Sequence, residues 1–218
     1  MRELLPRSRP LTDADLLQLY AAVPADQPLL RLNFVTTVDG SAQGPDGLSG
    51  SINTDADHLV FDLLRAWADV IVIGSGTVVA ERYDAPRTPA RWQALRAGRP
   101  ADPAMAVLSR TGTLPAGMDT HGRADVFVID TDTVGEAVGI LHDRDYRHIL
   151  CEGGPTIARA LLEAGLVDEI CLTTSPLLVL GDGPRFVTAQ QWQPTPLRLE
   201  SLIEEDGTLI ARWSVERT

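Results

Sequence analysis

Two short stretches carry most of the chemistry that this 218-residue chain offers. In LCEGGPTIARALLEAG, residues 150 to 165, an apolar run ends on Glu152, and two glycines and a proline separate it from a helical pattern. Pro155 suits the first helical position, where a missing N–H leaves no bond unmade, and Gly153 and Gly154 let backbone approach a ligand without side-chain obstruction. Exposed N–H groups at such a helix start attract an anion. Glu152 falls at the carboxyl end of an expected parallel strand, where open α/β sheets place their ligands. Taken alone, these residues also fit a plain tight turn with a surface glutamate.

A second stretch, VIVIGSGTVVAERY at residues 70 to 83, repeats the layout: an apolar strand, the turn Gly74-Ser75-Gly76, and a helical turn beginning at Thr77. It opens like a dinucleotide fingerprint, but Val79 stands where the third glycine of G-x-G-x-x-G is needed for close helix packing. One G-x-G is weak evidence. Two such junctions say more, because a dinucleotide carries a pyrophosphate and other phosphates that need separate anion sites.

Other catalytic patterns are missing from the sequence, which holds no G-x-S-x-G, no G-x-x-x-x-G-K-[ST], no H-E-x-x-H, and no H-x-E with P-C-x-x-C. His58, His121, His142 and His148 lie in separate segments without metal-ligand spacing, so they read as surface or structural residues and no metal site is expected. Cys151 and Cys171 fall in apolar, strand-like runs and read as small buried hydrophobes.

The elements that must position the two junctions follow from periodicity. LTDADLLQLYAAV, with Thr12 as N-cap, predicts a helix in an N-terminal extension over residues 1–30. RLNFVTTVDG alternates and is rich in β-branched residues, a strand delivering Asn33 and Asp39 to one end, with Asp39-Gly40 as a turn pair. From Asn53 or Thr54 a capped helix places Leu59, Leu63, Leu64 and Trp67 on one face. TPARWQALRAG predicts another helix ending at Gly98. AMAVLS, DVFVID, HILC and EICLTTSPLLVL read as strands, with a helix around 134–142 and another in PTIARALLEAG. Asp206-Gly207 between two alternating runs signals a C-terminal hairpin. Strands alternating with helices predict an α/β sandwich with a mainly parallel sheet and antiparallel edge strands from that hairpin. Residues 31–218 are expected to form a single domain, with the glycine-rich loop 40–50 beside its active site.

A composition of 44% hydrophobic and 22% charged residues is that of an ordinary globular protein, and no run reaches the ~18 apolar residues of a membrane span. The start, MRELLPRSRP, does not read as a secretory signal, so a cytoplasmic location is expected. A formal net charge of −11 argues against a nonspecific nucleic-acid or anionic-membrane binder. A small phosphorylated ligand remains possible where local arginines and helix N-termini overcome the global repulsion.

The three stretches NFVTTVDGSA, LSGSINTDADHLVFDLLRAWADVIVIGSGTVVAERY and ILCEGGPTIARALLEAGLVDEICLTTSPLLV together resemble the reductase domain of bacterial riboflavin biosynthesis, over roughly residues 31 to 190. The resemblance implies a dihydrofolate-reductase-like fold: a mixed, mostly parallel sheet flanked by helices, with the antiparallel hairpin at its end. It implies a dimer that uses NADPH to reduce the ribosyl side chain of a ribosylaminopyrimidine 5′-phosphate to the ribityl form. By the same resemblance NADPH would be contacted by Val35, Ser51, Gly74, Gly76, Thr77, Val78 and Glu81. Gly153, Gly154, Pro155, Thr156 and Ile157 would cradle its pyrophosphate, with Ser109 near the adenosine ribose and Arg110 near the 2′-phosphate. Asn33, Ser49, Arg65 and Glu152 would hold the substrate, with Arg65 on the phosphate and Glu152 on the pyrimidine. Glu81 and Glu152 are the implied catalytic pair, Glu81 orienting the nicotinamide end. Two departures from the family pattern stand out: Asn33 replaces a common lysine, and ERYDAPRT replaces a run whose arginine binds phosphate, with Arg82 or Arg87 as substitutes. The same scaffold also admits an NADPH reductase of a pterin, a folate or another imine, and a non-catalytic NADPH-binding protein.

Overall fold

A computed structural model describes residues 1–189 and 194–216; residues 190–193 and 217–218, which fall within the expected 31–218 unit, lie outside the described residues. In chain order the described residues form β1 (Arg2–Leu5), β2 (Arg9–Pro10), α1 (Asp13–Tyr20), β3 (Leu29–Thr37), α2 (Asp55–Trp67), β4 (Val70–Gly74), α3 (Ser75–Glu81), β5 (Ala104–Leu108) and β6 (Val126–Ile129). Then follow α4 (Val134–Asp143), β7 (His148–Cys151), α5 (Pro155–Glu163), β8 (Glu169–Ser175), β9 (Leu197–Glu205) and β10 (Thr208–Val215), with short 3-10 helices at Ser49–Ile52 and Ala90–Arg96. No helix among the described residues is long and apolar enough to cross a membrane.

One sheet holds the strands in the order β2-β1-β9-β10-β8-β3-β7-β4-β5-β6. The six strands from β8 to β6 are parallel, joined through the pairs β8–β3, β3–β7, β7–β4, β4–β5 and β5–β6. The C-terminal hairpin β9–β10, turned at Asp206-Gly207, adds antiparallel strands beside β8 as the alternating sequence predicts. The antiparallel edge is wider than expected. β1 and β2 extend it beyond β9, so the 1–30 segment contributes two strands as well as its helix.

Strand alternation divides the core between the two faces of the sheet. On one face Ile71 and Leu150 meet Leu63, Leu64 and Trp67 of α2 and Leu16 and Tyr20 of α1. On the other face Val70, Val72, Ile149 and Cys151 meet Ala137 and Leu141 of α4 and Ala158 and Leu161 of α5. Both cysteines are free and buried, and burial first of all pushes each thiol up to about 12. His148 is likewise structural, stacked on Trp67 at 4.7 Å.

Two elements differ from expectation for physical reasons. TPARWQALRAG forms only the short 3-10 segment, because its Arg96 and the Arg99 that follows it serve a neighbour: Arg96 donates to the carbonyls of Ala66 and Ala68, and Arg99 to those of Trp67 and Ala66. These bonds satisfy carbonyls left open at the end of α2, so a tertiary demand outweighs local helix preference. β8 stops at Ser175, well short of Leu180, since Pro176 has no N–H to offer the ladder.

Helix α2 is the element that carries the site, and its start is set by Thr54, whose hydroxyl accepts from the Asp57 N–H at 3.2 Å. Thr54→Ala should lower stability by about 1 kcal/mol. Urea unfolding of the two proteins measures this directly; an unchanged midpoint would mean that tertiary packing alone fixes the helix start.

Candidate active site

The two glycine junctions are one construction. The Gly74 N–H donates to the Gly153 carbonyl at 2.8 Å, and the Glu152 N–H donates to the Val72 carbonyl at 3.0 Å, so the chain beyond β7 stays laced to β4. A Cβ on Gly154 would lie 2.5 Å from Thr77 Oγ1, and one on Gly153, at φ +100°, would lie 3.0 Å from Phe34. Gly153 is therefore favoured by conformation and by its contact with Phe34, while Gly154, at φ −75°, is favoured by its closeness to Thr77 alone. The intervening Gly153–Gly154 peptide is cis.

Helices α1, α2 and α4 are capped by the side chains of Thr12, Thr54 and Thr133, whereas α3 and α5, which start on Gly74 and Gly154, have no side-chain cap. The first N–H groups of α3 are thus left for another acceptor; in α5 that falls to Thr156, because Pro155 has no N–H and those of Ile157 and Ala158 donate to the Gly154 carbonyl. Both helix starts border a cavity of about 740 Å³ at the carboxyl ends of the parallel strands. This is the end of the sheet where ligands bind in open α/β folds, beside the point at which β3 and β7 reverse the order of chain progression. A phosphate-bearing dinucleotide fits such a donor set.

α2 lines the opposite wall with Asp57, Phe61 and Arg65, spaced four residues apart and so on one face of the helix. The Arg65 guanidinium makes a two-point ion pair with Glu152, Nε to Oε1 and Nη2 to Oε2, both at 2.7 Å. It stacks over Phe61 at 4.0 Å and near Tyr83 at 5.3 Å. Burial opposes the charge on Arg65, but pairing with Glu152 outweighs it and raises the guanidinium above its usual pKa. Burial, and then the Glu152 charge, also raises the Tyr83 phenol, which keeps its proton.

Of the residues singled out by sequence, Asn33, Val35, Ser49, Arg65, Gly76, Thr77, Glu81, Glu152, Gly154 and Pro155 meet in the cavity wall. Register explains one pairing: Leu32 lies opposite Cys151, so Asn33 and Glu152 emerge side by side. Glu81 closes α3 and accepts from the Ser49 N–H with both oxygens, at 3.0 and 3.2 Å, tying the 40–50 loop to the helix. Asp39 accepts from Thr37 and from the N–H groups of Val179 and Leu180, a structural tie.

The remaining candidates stand behind or beside the wall. Gly74 and Gly153 form the lock between junctions, and Ile157 packs against Gly74. Val78 is buried with Ile73, Met105 and Val107, and Thr156 is exposed at the start of α5. Ser51 donates to Asp46 and to the Leu48 carbonyl within the loop. Ser109 is buried beyond β5, its hydroxyl sharing a hydrogen bond with Thr111 at 2.9 Å, and Arg110 follows it exposed.

Sequence reasoning missed Asp57, Phe61, Tyr83 and Phe186 in the wall. The spacing of Asp57, Phe61 and Arg65 could have found the first two once Arg65 was chosen. Phe186, whose ring meets Phe34 at 5.2 Å, follows a turn without a local signal. The two substitutes for the missing family arginine, Arg82 and Arg87, are both exposed, both in the wall, and neither pairs with a carboxylate among the described residues.

Removing one partner of a buried pair strands the other charge. Arg65→Ala and Glu152→Ala should therefore each cost roughly 3–5 kcal/mol of stability, while the double variant costs clearly less than their sum. Denaturant unfolding of the four proteins reads the coupling, and additive losses would show that the pair contributes nothing beyond its separate members.

Known proteins bear on this geometry. Residues 28–209 match the family described as the RibD C-terminal domain. The chain is 33% identical over 156 residues to the riboflavin biosynthesis protein RibD of Mycobacterium tuberculosis, covering 71% of this chain and 44% of that protein, so it spans less than half of that relative's length. It is 25% identical over 189 residues to the 2,5-diamino-6-ribosylamino-4(3H)-pyrimidinone 5′-phosphate reductase of Archaeoglobus fulgidus, covering 72% of this chain and 85% of that one. Among solved structures, a pyrimidine reductase-like protein from Corynebacterium diphtheriae superposes with a TM-score of 0.78 at 26% identity, covering 93% of this chain and 99% of that chain. A match that runs from the start of the first core strand into the last, on a sheet with the two glycine junctions at its ligand-binding end, places this chain in the RibD C-terminal domain family.

Proposed function

We propose that this protein is a reductase that uses NADPH to convert the ribosyl side chain of a phosphorylated ribosylaminopyrimidine, a riboflavin precursor, to the ribityl form. The observation that carries the reading is the pair of interlocked, uncapped helix starts opening on one cavity whose rim holds two arginines without a carboxylate partner among the described residues, in a chain of net charge −11. The named reductase from A. fulgidus supports the substrate class.

When bound, the nicotinamide cofactor supplies a hydride equivalent for the C1′ carbon of the ring-opened imine. The protein's own residues arrange the rest. The N–H groups at the starts of α3 and α5 receive phosphate oxygens of the cofactor, and Arg110, exposed beyond β5 next to the Gly74 junction, meets its 2′-phosphate. Arg82 and Arg87 take the substrate phosphate, since Arg65 is already joined to Glu152 through two of its nitrogens. Glu81 acts as a positioning residue, holding the loop that carries Ser49 over the cavity. Phe34 and Phe186, tilted against one another, give an apolar surface that excludes water from the reacting carbon. Tyr83 holds its phenolic proton beside Glu152 and can donate it in a hydrogen bond there. Orientation of the two reactants supplies at best on the order of 7–11 kcal/mol of the acceleration.

Purified protein given NADPH and the ribosylaminopyrimidine 5′-phosphate should lose absorbance at 340 nm in step with ribityl product. Arg82→Ala and Arg87→Ala should raise KM for the phosphorylated substrate about tenfold or more, as expected when a charge-assisted bond of roughly 1.5–3 kcal/mol is lost, and leave the dephosphorylated compound unaffected. NADPH binding without turnover of either pyrimidine form would discard the reductase reading in favour of a non-catalytic binder.

A further inference from the structure

Among the described residues four carboxylates line the cavity, and each accepts at least one hydrogen bond from the protein. Glu152 accepts from Arg65 with both oxygens, Glu81 accepts from the Ser49 N–H with both, and Asp84 is exposed at the rim, where it accepts from the Asp119 N–H at 3.0 Å. Asp57 is different. It is only 4% exposed yet forms part of the wall, and it has no ion-pair partner among the described residues.

Its surroundings fix the carboxylate without neutralising it. The Thr173 hydroxyl, from β8, donates to Asp57 Oδ1, and the Thr54 cap holds the backbone of the same residue. Burial is the largest influence on the Asp57 carboxyl and raises its pKa, while Thr173, His58 and Asn53 act in the opposite sense. A buried carboxylate with spare acceptor capacity is expensive to leave in an apolar wall, and it is satisfied by a ligand that presents adjacent N–H donors. On α2 it stands eight residues from Arg65, about 12 Å along the helix axis, so it lies well away from the Arg65–Glu152 pair.

Building on the reductase reading above, we propose that Asp57, and not the Arg65-bound Glu152, reads the pyrimidine, accepting from the adjacent 2-amino group and N3–H of a 2-aminopyrimidin-4(3H)-one and so selecting the diamino substrate over its uracil counterpart. The two substrates differ at C2, amino against carbonyl, and at N1, which carries a hydrogen only in the uracil ring. The diamino ring offers two neighbouring donors to the two carboxylate oxygens, whereas the uracil ring places carbonyl O2 where the amino group was, opposing one carboxylate oxygen with another acceptor. A site built to accept from a substrate N–H rejects the analogue lacking it, because its own buried group is then left unpaired. The order of chemistry follows: this enzyme reduces first, and its product still carries the exocyclic amine, which a hydrolytic deamination must remove afterwards.

The test compares kcat/KM for NADPH oxidation with the diamino and the uracil 5′-phosphates, using wild-type protein and Asp57→Asn. Wild-type protein should prefer the diamino form by on the order of 100-fold. The asparagine keeps an acceptor for Thr173 but offers the substrate one acceptor and one donor, which matches uracil N3–H and O2. The preference should therefore fall at least about tenfold, by loss on the diamino compound and not on the other. Equal use of both forms by wild-type protein, or an equal loss on both in Asp57→Asn, would overturn the assignment of Asp57 while leaving the reductase intact. Turnover of neither form by wild-type protein would instead overturn the reductase reading and this inference with it. If the variant fails to fold, calorimetric affinities of the two ribityl products for wild-type protein decide the matter: tighter binding of the diamino product supports the role of Asp57, and equal affinities remove it.

Discussion

The backbone hydrogen bond from the Gly74 N–H to the Gly153 carbonyl, backed by that from the Glu152 N–H to the Val72 carbonyl, ties the two junctions of the site together. It joins the ends of β4 and β7 beyond their last ladder bonds, and it fixes the starts of α3 and α5 relative to one another. A Cβ at Gly74, Gly153 or Gly154 would lie 2.9, 3.0 or 2.5 Å from Ile157, Phe34 or Thr77, so the glycines let the two junctions approach this closely. What results is a pair of helix N-termini, both without side-chain caps, facing one cavity in a fixed geometry. Preorganised donors of this kind cost no rearrangement when an anion arrives.

Electrostatics imposes the second constraint. A chain with a formal charge of −11 must gather anionic ligands by local means. It does so by consuming one arginine internally and leaving others free. Arg65 neutralises Glu152 inside the wall, where an unpaired charge of either sign would be costly, while Arg82 and Arg87 stay exposed at the rim. The arginines that determine structure behave differently: Arg96 and Arg99 saturate carbonyls at the end of α2, and Arg31 joins Glu169 beneath Trp67.

Much of this was legible in the sequence, and the boundary is physical. The strands and helices around both junctions and the Asp206-Gly207 hairpin are local signals and the structure has them, with the α2 cap settled as Thr54 over Asn53 and α3 beginning at Ser75, two residues ahead of Thr77. The family followed from three ordered motifs and agrees with the match over residues 28–209. Pairings between distant segments were not legible. Nothing local shows that Arg65 and Glu152, 87 residues apart, neutralise one another, or that Glu81 holds Ser49. Asp57 was hidden for the same reason, since a first-turn aspartate ordinarily supports a helix dipole and only its burial beside Thr173 sets it apart. The strands β1 and β2 were missed because they are too short to show a period and draw their stability from β9.

Amide hydrogen exchange with and without NADPH tests most directly whether the two junctions act as one cradle. The account predicts that NADPH slows exchange at the backbone amides of residues 75–78 and of 154 and 156–158 together, over the same range of cofactor concentration. Protection confined to one junction, or binding that protects neither, would contradict it.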